Sequence, residues 1–293
     1  MQLEMLLPRW RRWRASGTHA ARAERTRLVR TRNGVARACR MGSGPPLVWI
    51  PDPPVVIEHY HSLAEQLATR YEVILVELPG IGFGIPNKDF RFRIAGAGAG
   101  LADVLAELGV RGATLVGTCL GGFAVQACAN LAPARVERVV FLQTPSWPDG
   151  QRWLERRDPK SILRTPWIGQ SLFQLFATRR IEAWFRYALA DATRAGDFAT
   201  IARSALDRGA CFCLASLFQQ FLAPEQVLPN KIAQPAIAIA GTADRSHKGT
   251  DWSLAASLGQ NVEVLRFEHS GHFPDLEAPD RLIETLERFI RSH

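Results

Sequence analysis

Cysteine is scarce in this chain of 293 residues: there are five, an odd number at irregular spacing. That excludes a disulfide framework and suits a reducing compartment. Long apolar runs are missing too, since none approaches the roughly 18–20 residues needed to cross a bilayer. The residues after Met1 lack the charged-then-apolar order of a secretory signal. A dinucleotide-type glycine fingerprint is absent, because the run Ile94-Ala95-Gly96-Ala97-Gly98-Ala99-Gly100 follows no strand of the required kind. That run reads instead as a place where helices pack closely or approach a sheet. Cys211 and Cys213 form only a Cys-x-Cys pair, too sparse for zinc, and read as packing. The expectation is a cytoplasmic protein with no metal, nucleotide or flavin cofactor. No recognisable nucleic-acid binding motif occurs, so no nucleic-acid partner is expected.

Acidic residues are rare at the amino-terminal end, and this accounts for the net charge of +8. Residues 1–40 hold eleven arginines against Glu4 and Glu24, about +9, which leaves about −1 for everything that follows. Residues 1–26 form a basic arm, with Arg9, Arg11, Arg12 and Arg14 around Trp10 and Trp13. Such a segment can lie on an anionic membrane surface, meet an acidic carrier protein, or remain a solvated tail.

The rest of the chain is rich in alternation. Residues 28–39 surround Asn33-Gly34, a strong two-residue hairpin signal. Apolar strand-like runs at 47–50, 71–77, 113–116 and 139–142 then alternate with helix-like segments at 58–69, 95–108 and 120–131. Nearly continuous apolar strands of this kind belong to a parallel sheet covered on both faces. The alternation stops over residues 147–227, which are helical in character and crowded with aromatic side chains. It resumes with strands at 236–240 and 262–267 and a closing helix at 279–291. The expected fold is one α/β domain, a mostly parallel sheet flanked by helices. Its core comprises residues 27–146 and 228–293, with an inserted helical lid at 147–227. The density of aromatics in that insertion favours an apolar pocket wall.

One pentapeptide carries most of the chemistry. Gly117-Thr118-Cys119-Leu120-Gly121 joins an apolar strand to an apolar helix, and glycines flank a central residue at a sharp strand-to-helix turn because side chains there would collide. Cys119 would stand at the carboxyl edge of the sheet, with the backbone N–H of Leu120 facing an incoming carbonyl oxygen. A thiol needs a base, and the base needs an orienting group. Asp244 and His272 both fall in loops after strands, where open parallel sheets gather their sites. His269 and Asp251 are the lesser candidates for those two roles. Cys128, on the helix after the bend, reads as core.

The order nucleophile, acid, histidine resembles that of the α/β-hydrolase fold superfamily over residues 28–293. Matching segments are Pro45-Pro46-Leu47-Val48, Glu77-Leu78-Pro79-Gly80-Ile81-Gly82, the pentapeptide above, Gly241-Thr242-Ala243-Asp244, and the run from Gly271-His272-Phe273-Pro274 to Pro279. The resemblance implies a nucleophile at Cys119, a base at His272 and an orienting carboxylate at Asp244. The Gly-x-Cys-x-Gly-Gly box is similar to that of polyhydroxyalkanoate synthases, and cysteine also replaces serine in some carrier-bound thioesterases. The chain is too short, and its lid too different, to read as a polyester synthase. The reaction so implied is acyl transfer or (thio)ester cleavage on a hydrophobic acyl group, small or carrier-bound.

A departure from the family pattern stands beside this. Where such proteins carry His-Gly-x, this chain has Pro51-Asp52-Pro53, which puts Pro53, without an N–H, at the second oxyanion-donor position. Loss of one donor commonly costs about 3–4 kcal/mol of transition-state stabilisation. Tyr60, with His59 and His61 beside it, is the candidate replacement donor. Asp52 would repel a thiolate and an oxyanion alike unless protonated or paired with a base, and otherwise acts as a general acid or binds a substrate hydroxyl or amine. The altered oxyanion region also suits an alternative on the same fold: elimination, cyclisation or carbon–carbon cleavage with His272 as base.

Overall fold

The computed structural model describes residues 26–87 and 89–293. The Arg/Trp segment of the basic arm lies outside them. Strands β1 (Thr26–Thr31) and β2 (Gly34–Met41) form the antiparallel hairpin. Its turn sits one residue earlier than the Asn-Gly signal indicates: Thr31 pairs with Gly34, so Arg32 and Asn33 make the loop and Gly34 opens β2 at φ +141°. Next come β3 (Pro46–Ile50), helix α1 (His61–Leu67), β4 (Glu72–Glu77), the short β5 (Ile85–Pro86) and α2 (Ile94–Glu107). β6 (Ala113–Thr118), α3 (Leu120–Leu131) and β7 (Val136–Leu142) follow. β7 begins three residues before its apolar run, because Val136 and Arg138 pair with Ala113 and Thr114 of β6 while Glu137 is the extra residue of a β-bulge between them.

Between β7 and β8 (Ala236–Gly241) the chain forms α4 (Trp147–Arg157), α5 (Ile168–Ala188), α6 (Ala195–Ala205) and α7 (Cys211–Ser216). β9 (Val262–Phe267), α8 (Pro274–Glu277) and α9 (Pro279–Ser292) complete the described residues. The sheet order is β1-β2-β4-β3-β6-β7-β8-β9, with β5 paired to β2. β3 through β9 along that path run parallel, while β2 meets β4 antiparallel. No helix among the described residues is long and apolar enough to cross a membrane.

The two faces of the sheet explain its composition. In β3, Leu47 and Trp49 pack on the face covered by α1, α9 and part of the helical insertion, while Val48 and Ile50 pack against α2 and α3. All four are at most 1% exposed, so a run that shows no polar alternation is apolar on both sides. Each such side chain contributes roughly 1.5–3 kcal/mol by leaving water.

One buried ion-pair network fixes the loop after β3. Arg37 of β2 makes two hydrogen bonds to Glu77 at 2.7 and 3.0 Å and two to Glu58 at 2.7 and 2.8 Å. Glu77, fully buried, also accepts the N–H groups of Ile57 and Phe83. The segment from Asp52 to Ile57 is thereby tied to the end of β4.

Candidate functional site

β6 ends at Thr118 and α3 begins at Leu120, so the backbone must reverse at Cys119 alone. It does so with φ +48° and ψ −109°, outside the usual regions for an L-residue. A strain of this kind persists only where the surroundings over-determine it. The Cys119 N–H is held by the Leu142 carbonyl at 2.7 Å. A side chain at Gly117 would lie 2.5 Å from the Gly121 carbonyl oxygen, and one at Gly121 would lie 2.7 Å from that of Ile50. The flanking glycines are thus required by close backbone approach.

Two strand-end loops converge on the Cys119 sulfur. In the loop after β9, His272 Nδ1–H donates to Asp244 Oδ2 at 2.8 Å, and a ring nitrogen of His272 lies within 4.8 Å of the Cys119 sulfur. Asp244, in the loop after β8, accepts from Gln143 Nε2 at 2.8 Å, from Ser246 N–H at 2.7 Å and from the Ser246 hydroxyl at 2.6 Å. His247 Nδ1–H donates to the same Oδ2 at 3.0 Å. The His272 loop is itself pinned by Glu277, which accepts the N–H groups of Gly271 and Phe273 at 3.1 Å each and that of Ala190 at 2.7 Å.

A third loop brings Asp52 into the same space. Its Oδ1 accepts the Leu120 N–H at 3.1 Å, and its Oδ2 stands 3.3 Å from His272 Nε2. Donor atoms of Asp52, Cys119 and His272 all lie within 4.8 Å of one another. The carboxylate therefore occupies the position that a carbonyl oxygen would take on the Leu120 N–H.

Burial, and then the nearby Asp52 charge, push the Cys119 thiol up to about 12, so it is protonated at neutral pH. Burial opposes charge on His272, but the Asp244 and Asp52 carboxylates outweigh it and hold the imidazole well above its ordinary range. Burial likewise opposes charge on Asp244, yet the two imidazoles keep it well below the usual carboxylate range. Burial pushes His247 down, against the pull of Asp244. The resting site is thus a neutral thiol beside an imidazolium held between carboxylates. Asp244, His247 and His272 also cluster at metal-ligand spacing, but both Nδ1 atoms carry protons donated to the carboxylate.

Above Cys119 lies a cavity of about 490 Å³. Phe123 of α3 lines it together with Trp153, Phe173, Trp184, Leu217 and Phe218 of the helical insertion. Apart from Asp52, Cys119, His272, Ser246 and His247, its polar side chains are Arg157 and Arg180, both exposed to solvent.

Comparison with known proteins agrees with the fold. Residues 42–285 match the profile of the alpha/beta hydrolase family. The chain is 30% identical over 268 residues to a pimeloyl-[acyl-carrier protein] methyl ester esterase of Xanthomonas oryzae pv. oryzae, covering 86% of this chain and 97% of that protein. The chain belongs to the alpha/beta hydrolase family. Among solved structures, a putative acyltransferase from Salmonella enterica superposes with a TM-score of 0.77 at 18% identity, covering 92% of this chain and 96% of that one. A putative epoxide hydrolase from Klebsiella pneumoniae superposes at 0.75 with 20% identity, covering 92% and 98%. At those identities the likeness concerns the fold.

This alpha/beta hydrolase brings Cys119, His272, Asp244, Leu120 and Asp52 together, and Pro53 lines the cavity beside them. It does not bring Tyr60. The Tyr60 hydroxyl donates to Asp275 at 3.0 Å and the residue is wholly buried outside the cavity lining, which corrects the expectation that it serves as a replacement oxyanion donor. His59 is spent on the Phe198 carbonyl and Val56, and His61 is exposed. His269 is exposed at φ +66°, and Asp251 caps the turn at Ser253, so neither alternative reaches the site. Sequence reasoning missed His247 and Gln143. The spacing Asp244-x-x-His247 within one loop was a usable signal, whereas Gln143 reaches Asp244 only through the sheet order.

Proposed function

We propose that this protein cleaves esters or thioesters of hydrophobic acyl groups, or transfers those groups, through an acyl intermediate on Cys119. The single observation that carries the reading is the sulfur on a strained strand-to-helix bend, within 4.8 Å of an imidazole that Asp244 orients, in the lining of an apolar cavity. The relative named above acts on a methyl ester of a carrier-bound acyl chain, which supports an ester or thioester of the same general kind. A hydrophobic chain fits the cavity roof, and the leaving group would point toward the mouth at Arg157 and Arg180.

Asp52 sets the order of events. A proton passes from His272 Nε2 to Asp52 Oδ2, which leaves both groups neutral. The uncharged Asp52 then yields the Leu120 N–H to the substrate carbonyl oxygen. His272, now a free base, takes the proton of Cys119 as the sulfur bonds to the acyl carbon, and hands it to the departing group as the carbon–heteroatom bond breaks. Water or another acceptor discharges the acyl thioester.

The test is intact-mass analysis after rapid mixing with medium-chain p-nitrophenyl esters and acyl thioesters. An acyl mass increment mapped to Cys119, absent in Cys119→Ala, supports the reading. Turnover retained in Cys119→Ala would exclude it. The carboxylate on the Leu120 N–H favours a second reading, in which Asp52 and His272 move protons in an elimination or carbon–carbon cleavage without a lasting acyl enzyme. Retained activity in Cys119→Ala together with its loss in Asp52→Asn is the result that reading expects.

A further inference from the structure

Asp244 serves two imidazoles, and only one of them is explained by the chemistry at Cys119. His247 is 6% exposed and lies flat against His272, with ring centroids 5.0 Å apart and planes 10° apart. Its other face stacks on Trp153 at 5.7 Å and 16°. Because Asp244 can only accept, the Nδ1 of His247 must carry the proton, which fixes Nε2 as a bare acceptor. No described residue hydrogen-bonds that Nε2, and His247 lines the apolar cavity. An imidazole nitrogen desolvated without a partner costs free energy, so a ligand group that supplies a proton there is strongly favoured.

His272 is poorly placed for a further duty. Its single outward nitrogen already faces both Asp52 and the Cys119 thiol. We propose that His247 Nε2 forms a second acid–base position, which binds the hydroxyl of the acceptor, an alcohol or water, and takes its proton as the acyl group leaves Cys119. This rests on the acyl-enzyme reading above and assigns the second half of that reaction. The acceptor oxygen bonds to the acyl carbon while its proton goes to His247 Nε2. The carbon–sulfur bond breaks with its electron pair on Cys119 Sγ, and water entering the cavity as product departs carries the proton from His247 to Sγ. Burial keeps His247 neutral beforehand, as a base must be. The site then has two bases on one carboxylate, with His272 serving thiol and leaving group and His247 serving acceptor.

The experiment is single-turnover kinetics of the full chain and of His247→Gln, with p-nitrophenyl octanoate as donor and water or n-butanol as acceptor. The p-nitrophenol burst reports acylation, and intact mass reports loss of acyl-Cys119. Expected is a burst rate within about threefold of wild type and deacylation slowed about 10²-fold or more, the usual size of a general-base effect. Hydroxylamine or an ionised thiol needs no base and should discharge the variant at the wild-type rate. A burst slowed as much as deacylation would make His247 only a support for Asp244 and overturn the proposal. Deacylation at the wild-type rate would also overturn it, while leaving the acyl-enzyme reading intact. No acyl-Cys119 in the wild type would remove both. Whether butanol or water gains more from His247 separates a transferase from a hydrolase. Should His247→Gln not fold, His247→Asn is read by the same hydroxylamine comparison.

Discussion

Asp52 Oδ2 and His272 Nε2 stand 3.3 Å apart, while the other Asp52 oxygen holds the Leu120 N–H at 3.1 Å. One carboxylate thereby takes up the Leu120 N–H and holds the His272 imidazole protonated. The consequence is measurable in the thiol. With Cys119 pushed up to about 12, iodoacetamide should modify it slowly at neutral pH. Its rate should climb about tenfold per pH unit from pH 7 to 9 without a plateau. Asp52→Asn removes one of the causes of the shift and should raise the rate at pH 7.5 by about tenfold, on the scale of one pKa unit. Peptide mapping of the alkylated residue checks this, and an unchanged rate would mean that Asp52 does not control the thiol.

The buried network at Arg37 allows a stability prediction. Arg37→Met leaves Glu77, with no exposure to water, deprived of its counter-charge. Removing one partner of such a pair costs about 3–5 kcal/mol, and urea unfolding at neutral pH should show a loss of that size. Arg32→Met, at the exposed pair with Asp103, should change stability by less than about 1 kcal/mol.

Asp275 gives a pH dependence with a definite sign. Burial pushes its carboxyl up to about 6, against the hydrogen bonds from Tyr60 and Thr118. The native state therefore holds this proton more tightly than the unfolded chain does. The stability it contributes is full below about pH 4 and is lost as pH rises through about 6. Asp275→Asn cannot ionise, so above pH 7 it should be more stable than wild type by roughly 2–3 kcal/mol, a gap that closes below about pH 4. Denaturant titrations at the two pH values decide it.

Glu277 acts on the site through the His272 loop. Glu277→Ala strands the N–H groups of Gly271, Phe273 and Ala190, and should cost about 3 kcal/mol, since each unsatisfied buried donor is worth roughly 1–3 kcal/mol. Turnover should fall more than KM rises, because the loop holds His272 rather than the acyl chain. Glu277→Gln keeps an acceptor oxygen and should recover much of both losses; equal damage in the two variants would show that charge, not loop positioning, is what matters.

Much of this was readable along the chain because it is local. Apolar runs reveal strands buried on both faces, as with Leu47 to Ile50. The glycines around Cys119 report a bend whose sterics involve residues at most four apart, apart from the Ile50 carbonyl. Misreadings came where a bulge interrupts a strand's pattern, as at Glu137 in β7, or where a partner lay far away. Tyr60 looked available because nothing near it in sequence satisfies its hydroxyl, yet Asp275, 215 residues on, does so.

The sequence by itself determined the alternating layers, the bend at Cys119, the loops that carry Asp244 and His272, and the want of an N–H at Pro53. These follow from periodicity, glycine sterics and proline's missing proton, which act over a few residues. Only the tertiary structure decided that Asp52 holds the Leu120 N–H, that the Tyr60 hydroxyl is taken by Asp275, and that Gln143 reaches Asp244. Charge effects and hydrogen bonds depend on distances of about 3 Å, and the sheet order brings together residues that lie more than a hundred positions apart.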